Sequence, residues 1–85
     1  MKVLVPSALR SYTERSETEA SGSTLSAALY DLERQYPGIH FRMIDEQDRI
    51  RRHIRIFVNG EQVRDVAQPL AAADEVIIVQ ALSGG

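Results

Sequence analysis

The sequence predicts an α+β domain in which one main helix packs on one face of a mixed five-stranded sheet. Three observations lead to this fold class. Residues 24–36 carry apolar side chains at helical spacing, short alternating segments precede and follow them, and the apolar run at residues 76–79 is typical of a strand in the middle of a sheet. A chain of 85 residues has room for one domain with a single modest core.

Two strands are predicted before the helix. Val3 and Val5 alternate with their neighbours, and Pro6 closes this strand because proline cannot donate to a ladder. Residues 9–15 are interpreted as a polar turn region. Residues 16–20 then return as a second strand with one solvated face.

The helix has clear sequence signals at both ends. Thr24 can accept a hydrogen bond from the orphan amides of the first turn. Residues 36–38, Tyr-Pro-Gly, end the helix, because proline disfavours helical geometry in the residue before it and glycine permits a reversal. Four apolar residues fall on one face between these signals: Leu25, Ala28, Leu29 and Leu32.

After the helix, Ile39, Met43 and Ile44 predict a helical turn against the core, and residues 45–52 predict a charged surface loop. Residues 54–58 alternate as a strand, and Asn59-Gly60 predicts a tight turn into a short strand at residues 61–63. The run at residues 76–79 is apolar at every position. Such a run is typical of strands that are buried on both faces, and also of central strands flanked by a helix.

Composition narrows the function classes. Ten basic and twelve acidic residues give a net charge of −2, which argues against nucleic acid as a partner because phosphate binding needs a concentrated positive surface. The sequence has no cysteine, so disulfides, thiol catalysis and cysteine-based metal sites are excluded. We find no signal peptide and no apolar run of membrane-spanning length, so we expect a cytoplasmic location and no membrane partner.

The two histidines predict no metal or catalytic site. His40 and His53 lack carboxylate or cysteine neighbours at ligand spacing, and no serine or cysteine nucleophile is placed with them. We therefore expect no catalytic residues and a protein that is not an enzyme.

The chemistry is predicted at the carboxyl end instead. Gly84 and Gly85 have no side chains, so the main chain there is slim enough to enter a narrow channel. An α-carboxylate is ionised at neutral pH and can attack the α-phosphate of ATP, which gives an acyl adenylate that a sulfur nucleophile or an amine can open. We divide the chain into a domain, residues 1–81, and a flexible tail, residues 82–85. The alternative is that two glycines mark a frayed end.

The order of elements, the strand at residues 76–79 and the ending Leu82-Ser83-Gly84-Gly85 resemble the ubiquitin-like β-grasp sulfur carriers. That family includes the small subunit of molybdopterin synthase and the thiamin sulfur carrier. The branch that serves cysteine and thio-metabolite biosynthesis is most similar, through residues 5–10, 21–25, 53, 56–60 and 63–64. The chain departs from the pattern at Gln80, where many members carry a proline that stiffens the approach to the tail.

The resemblance implies that a ubiquitin-activating-type adenylyltransferase uses ATP to adenylate Gly85, which is converted to a thiocarboxylate. This sulfur would pass to a biosynthetic enzyme, with no cofactor bound to the carrier. Gly84 would be the slender neck of the tail, and Leu82, Ser83 and the exposed face of the sheet would dock the partner. In some relatives a metalloprotease trims residues that follow the two glycines.

Two further features are candidates for docking. Arg51 and Arg52 belong to the densest positive patch, residues 49–55, which could meet an acidic partner surface or nucleotide phosphate; a solvated loop balanced by its own acidic residues is the favoured interpretation. Phe57 is expected on the face opposite the core, where it would suit an interface, although packing under the loops is an equal alternative.

Three other functions stay open at this point. The chain could be a protein modifier joined through Gly85 to target lysines. It could be a ubiquitin-like binding module in which the tail plays no part. It could also be a permanent subunit whose tail stays inserted in a catalytic partner, as in molybdopterin synthase.

Overall fold

A computed structural model of the chain describes residues 1–81, and within them five strands form one mixed sheet. The strand order is β2-β1-β5-β3-β4, so the last strand is central, as predicted. β5 runs parallel to β1 and antiparallel to β3. The α+β class and the β-grasp arrangement are confirmed. The strands are β1 Lys2–Leu4, β2 Glu17–Glu19, β3 Ile54–Val58, β4 Glu61–Val63 and β5 Glu75–Gln80.

The predicted helix is α2, Leu25–Gln35. The Thr24 side chain accepts a hydrogen bond from the Ala27 amide at 3.2 Å, which is the expected cap. Just before it, Gly22 passes so close to the helix that a Cβ there would lie 2.6 Å from the Ala28 nitrogen. A side chain at this position would therefore push the segment between β2 and α2 away from the helix.

One face of the sheet, which we call the inner face, packs against α2. Val3, Ile56, Val76 and Ile78 point to this face and are at most 2% exposed. The helix contributes its four predicted apolar residues, all buried. The core of the described residues lies in this single layer between sheet and helix.

The opposite face of the sheet, the outer face, has no helical layer among residues 1–81, so β5 is a central strand flanked by a helix on one side and is not buried on both faces. Val79 is 39% exposed and Ile77 is half-buried, whereas Val76 and Ile78 are buried. A chain this short has only enough helix to cover one face. The apolar run correctly indicated a central strand, but it could not tell whether one or two layers cover that strand.

Residues 9–15 also differ from the prediction of a turn. A 3₁₀ turn, Ser7–Leu9, leads directly into a short helix, α1 Arg10–Thr13. Leu9 is 1% exposed and anchors this segment to the core. The polar residues around one buried leucine hid the helix in the sequence.

The segment after α2 follows the prediction. Gly38, with a positive φ of 99°, starts α3, Ile39–Met43, and both of these terminal residues are fully buried. The charged loop then turns back through a bridge between Ile44 and Ile50 before β3 begins. Among the described residues, no helix is both long and apolar enough to cross a lipid bilayer.

Candidate functional site

The carboxyl end of β5 is the structural base of the candidate site. Gln80 pairs with Ile54 of β3, and the next amide, that of Ala81, donates to the His53 carbonyl at 2.7 Å. The main chain is thus held to β3 as far as Ala81. The predicted reactive residues Gly84 and Gly85, and the predicted docking residues Leu82 and Ser83, lie outside the described residues.

Gln80 is part of the paired strand. Its side chain also borders an open cavity of about 370 Å³ at the end of the sheet. The expectation that Gln80 alters the approach to the tail falls on residues outside those described. Gln80 itself is held in the sheet by its pairing with Ile54.

The cavity is dominated by arginine. It is lined by Phe41, Arg42, Arg51, Arg52, His53, Ile54 and Gln80. A second hollow of about 460 Å³ adjoins it along Arg51, Arg52 and Ile54, and adds Arg55 and Arg64. The antiparallel pairing of β3 with β5 brings the start of β3, and the arginines before it, beside the last residues of β5. We call Arg42, Arg51, Arg52, Arg55 and Arg64 the arginine cluster.

Arg51 is held in place by its neighbours. Its Nε donates to the Phe41 carbonyl at 2.6 Å, and its guanidinium carbon lies 4.4 Å from the centre of the Phe41 ring. An arginine stacked on an aromatic ring keeps its charge while its side chain is fixed. This contact explains why Phe41, though 57% exposed, keeps a defined position at the edge of the cavity.

The acidic residues of the preceding loop do not form ion pairs with the arginine cluster. In residues 1–81 the pairs within 4 Å join Lys2 to Glu17 and Glu75, and Arg34 to Asp31. Asp45 instead accepts from the amides of Arg49 and Gln47, and these hydrogen bonds hold the pKa of its carboxyl below the ordinary value. The charges of Arg49 and Arg51 lower this pKa further, so the favoured interpretation, a loop balanced by its own acids, is supported by charge at a distance but not by an ion pair among residues 1–81.

Phe57 lies on the outer face. Its neighbours in β3, Ile56 and Val58, are buried on the inner face, whereas Phe57 is half-buried and pairs across with Ile77. Leu4 lies on the other side of Ile77 in the same row. We call Leu4, Phe57, Ile77 and Val79 the apolar strip. The prediction that Phe57 points away from the core is confirmed; its role in docking stays a prediction.

The outer face is charged differently at its two sides. Lys2 is within 3.8 Å of Glu17 and within 3.5 Å of Glu75, near the start of β5, and Glu19 lies on the same edge strand. The arginine cluster lies at the other end of β5. The apolar strip thus separates an acidic side from a basic side that surrounds the base of the tail.

The two histidines make separate contacts and share no metal or catalytic site among the described residues. The His40 ring stacks on that of Tyr30, with centroids 4.1 Å apart, and its amide donates to Glu33. His53 uses its carbonyl to hold Ala81. Across the part of the chain that the structure describes, no three His, Cys, Asp or Glu side chains are grouped as metal ligands would be.

Sequence reasoning named Arg51 and Arg52 but missed Phe41, Arg42 and Gln80 as their companions. The pairing of β3 with β5 was the missing information, because it is what joins the α3 segment to the end of the sheet. An exposed aromatic residue directly before Arg42 was the available signal.

Comparison with known proteins gives a consistent result. A sequence model described as the ThiS family matches residues 3–85. The sulfur carrier protein CysO of Mycobacterium tuberculosis (strain ATCC 25618 / H37Rv) is 38% identical over 89 residues, which covers 98% of this chain and 96% of that protein.

Two solved structures extend the comparison. A chain of the Amycolatopsis orientalis BexX/CysO complex superposes with a TM-score of 0.91 at 31% identity, covering 99% of this chain and 98% of its own. The small archaeal modifier protein 1 of Methanosarcina acetivorans gives a TM-score of 0.83 at 26% identity, covering 99% and 94%.

Proposed function

The chain belongs to the ThiS family, and from this premise we propose that it is a sulfur carrier that works through the carboxylate of Gly85. The observation that carries the proposal is its identity of 38% to a sulfur carrier protein along 98% of the chain. A similar protein is found in the BexX/CysO complex, which supports a function that involves binding to a partner protein. The carrier presents a reactive end, and its partners supply the catalysis.

The chemistry proposed for Gly85 needs two steps. A carboxylate oxygen attacks the α-phosphate of ATP in an adenylyltransferase of the ubiquitin-activating type; pyrophosphate leaves and an acyl adenylate forms. A sulfur nucleophile then attacks the carbonyl carbon and AMP leaves, so that one oxygen is replaced by sulfur. The ATP belongs to the partner, and the only group that the carrier holds is the thiocarboxylate sulfur.

The length of the tail suits this division of work. Four residues follow Ala81, and an extended chain of that length spans at most about 14 Å. The two glycines leave the neck at Gly84 without a side chain. A partner can therefore receive the carboxylate in a narrow channel while the folded body stays outside, with Ala81 fixed to β3 at the entrance.

We propose that the apolar strip, together with Leu82 and Ser83, contacts the adenylyltransferase. Phe57 and Ile77 lie side by side on a face that no helix of residues 1–81 covers, and Val79 points to the same face nearer the tail. Partly exposed apolar side chains beside a tail are suited to a protein interface. We expect the sulfur-accepting enzyme to use an overlapping surface, since it must receive the same tail.

For the acceptor we propose an enzyme of cysteine or thio-metabolite biosynthesis, as the relation to CysO suggests. The small subunit of molybdopterin synthase is the alternative within the same chemistry. A metalloprotease that trims a precursor is a further candidate partner.

The direct test is intact-mass measurement. The protein is incubated with ATP, sulfide and the adenylyltransferase encoded near its gene. We expect a product in which one oxygen is replaced by sulfur, localised to the terminal peptide. The variant that lacks Gly85 should give no product, whereas Ser23→Ala, at an exposed position before α2, should be modified like the wild type. An unmodified wild type, in a reaction where the same enzyme adenylates a known carrier, would contradict the proposal.

The second candidate is a protein modifier, favoured by the similarity to small archaeal modifier protein 1. The same adenylate would then be opened by a lysine amine of a target. Epitope-tagged protein expressed in its host distinguishes the two functions: high-mass conjugates that disappear on deletion of Gly85 indicate a modifier, and their absence alongside a detectable thiocarboxylate indicates a carrier alone.

A further inference from the structure

We propose that the arginine cluster is a socket for acidic side chains on the adenylyltransferase, placed at the entrance through which the tail passes. The inference rests on the proposed function, because it assigns a chemistry to the surface around the same tail. It concerns the partner's surface residues and not its nucleotide.

The position of the cluster is the first reason. Arg51, Arg52 and Gln80 border one cavity, and Gln80 is adjacent to Ala81, the point from which the tail departs. A partner that takes up the tail must place some part of its surface against this cavity. Three members of the arginine cluster, Arg42, Arg51 and Arg52, border this cavity and are placed to lie in the contact area.

The state of the arginines is the second reason. Within residues 1–81 no member of the cluster forms an ion pair, and the Arg52 guanidinium makes no hydrogen bond. Arg51 is fixed against Phe41 by its Nε, which leaves its terminal nitrogens to donate elsewhere. Guanidinium groups of this kind fit carboxylates in pairs of parallel hydrogen bonds.

The reach of the tail separates a carboxylate ligand from nucleotide phosphate. The carboxylate of Gly85 must lie beside the nucleotide, at up to about 14 Å from Ala81 along an extended chain. The arginine cluster lies at the base of that tail. When the tail is threaded, the cluster faces the rim of the channel and the nucleotide lies at its far end.

The charge of the rest of the outer face points to the same occupant. Glu17, Glu19 and Glu75 lie at the side away from the tail, and the arginines lie at the side of the tail. A partner with acidic residues around its channel is attracted to the correct end of the carrier and repelled from the other. Such complementary charges act mainly on the rate of association and on orientation.

The test compares two charge reversals in the adenylation reaction. Arg52 borders both hollows of the cluster, whereas Arg15 is an exposed arginine in the segment between α1 and β2, and neither guanidinium makes a hydrogen bond or ion pair in the described part of the chain. In low salt we expect Arg52→Glu to lower kcat/KM by about tenfold with little change in kcat, and Arg15→Glu by less than about twofold. Arg52→Lys should recover most of the loss, and the difference between the reversals should shrink in high salt.

The outcomes are separable. If the wild type is not adenylated at all, the proposed function fails. If the wild type is adenylated and Arg52→Glu behaves like Arg15→Glu, the proposed function stands and the acidic socket is overturned. Titration of the carrier alone with ATP, followed by NMR, checks the competing ligand: shifts at Arg51 and Arg52 at millimolar ATP would overturn the assignment to carboxylates in favour of phosphate, and their absence supports it.

Discussion

The inner and outer faces of the sheet are built from the same strands and have opposite roles. Side chains on the inner face, such as Ile56 and Ile78, are at most 2% exposed and pack under α2. On the outer face, Phe57 and Ile77 are half-buried, and Val79 is 39% exposed. The exposed fraction of a side chain thus differs more between neighbouring residues of one strand than between residues of different strands on the same face.

The difference shows how a small domain divides its apolar residues between its core and its surface. A chain of 85 residues can cover one face of its sheet with helix, and that face supplies its core. The other face keeps a few apolar residues that contribute less to stability. We therefore expect substitutions there to cost less stability than substitutions on the inner face.

The largest expected effect separates two adjacent isoleucines of β5. Ile78→Ala removes a side chain that is 2% exposed and should lower the free energy of unfolding by about 3 kcal/mol. Ile77→Ala makes the same chemical change on the outer face and should cost about 1 kcal/mol, because that side chain is only half-buried. Urea denaturation measures both. Equal losses would remove the distinction between the faces.

The two isoleucines should also reverse their order in the adenylation assay. Assayed well below their unfolding midpoints, Ile77→Ala is expected to raise KM by about fivefold, since contacts at the centre of an interface contribute most. Ile78→Ala should leave KM unchanged. A larger effect of Ile78→Ala on KM would place the docking surface elsewhere.

A smaller effect is expected where the covering helix begins. Thr24→Ala removes the cap of α2 and should lower the free energy of unfolding by about 1 kcal/mol. Ser23→Ala is the matched control, because Ser23 is exposed and uses its backbone carbonyl, not its hydroxyl, to accept from the Leu70 amide. Thermal unfolding of the two variants at equal concentration makes the comparison. A loss in Ser23→Ala as large as that in Thr24→Ala would argue against the cap.

Acid should lower the free energy of unfolding in part through Asp31 of α2. The Ser21 amide and the Arg34 guanidinium donate to its carboxylate and hold its pKa below the ordinary value of 3.8. Because the pKa is lower in the folded state, this stabilisation is present above the unfolded value and is lost as the pH falls through the folded value. Asp31→Asn should therefore be less stable than the wild type at pH 6, and the difference should narrow below about pH 4.

The acid prediction is measured by urea titrations between pH 6 and pH 2.5. Glu33, Asp45 and Asp74 also have a lowered pKa from backbone hydrogen bonds, so both proteins lose stability in acid. The difference between the two proteins is what reports on Asp31. A difference that stays constant over the whole range would show that the carboxylate charge of Asp31 is not involved.

The smallest effect is expected on the outer face at Lys2. Its ion pairs with Glu17 and Glu75, at 3.8 and 3.5 Å, join side chains that are about half exposed, so Lys2→Gln should change the free energy of unfolding by less than about 0.5 kcal/mol. The measurement is urea denaturation in low and high salt. A loss above 1 kcal/mol that persists in high salt would mean that the polar part of the outer face also holds the fold together.

Much of the fold could be predicted because its elements carry local signals. The cap at Thr24, the spacing along α2 and the alternation around Ile56 each depend on residues close in sequence. Helix α1 was missed because it has only four residues and the fully buried leucine beside it, Leu9, lies just before its first residue. The apolar run of β5 left open whether one or both of its faces are covered, because an apolar strand can have the same sequence in either case.

The candidate site was predictable only in part, for a related reason. The chemistry assigned to Gly85 follows from residue type and from the family resemblance, and it needs no tertiary contact. Arg51, Phe41 and Gln80 line one cavity because β3 pairs with β5, and no local sequence pattern indicates which strands pair. Arg51 and Arg52 were noticed by charge alone, and it is the structure that places them beside the last residues of β5.

The central place of β5 has a mechanical consequence. Under the proposed function a partner draws the chain beyond Ala81 into a channel, and a pull along the axis of β5 would act across the hydrogen bonds to β1 and β3. Traction therefore loads two ladders in shear, with many bonds sharing the force. A tail attached to an edge strand such as β4 could be peeled from a single neighbour. We therefore expect the folded body to resist a pull on its carboxyl end better than it would if β5 were an edge strand.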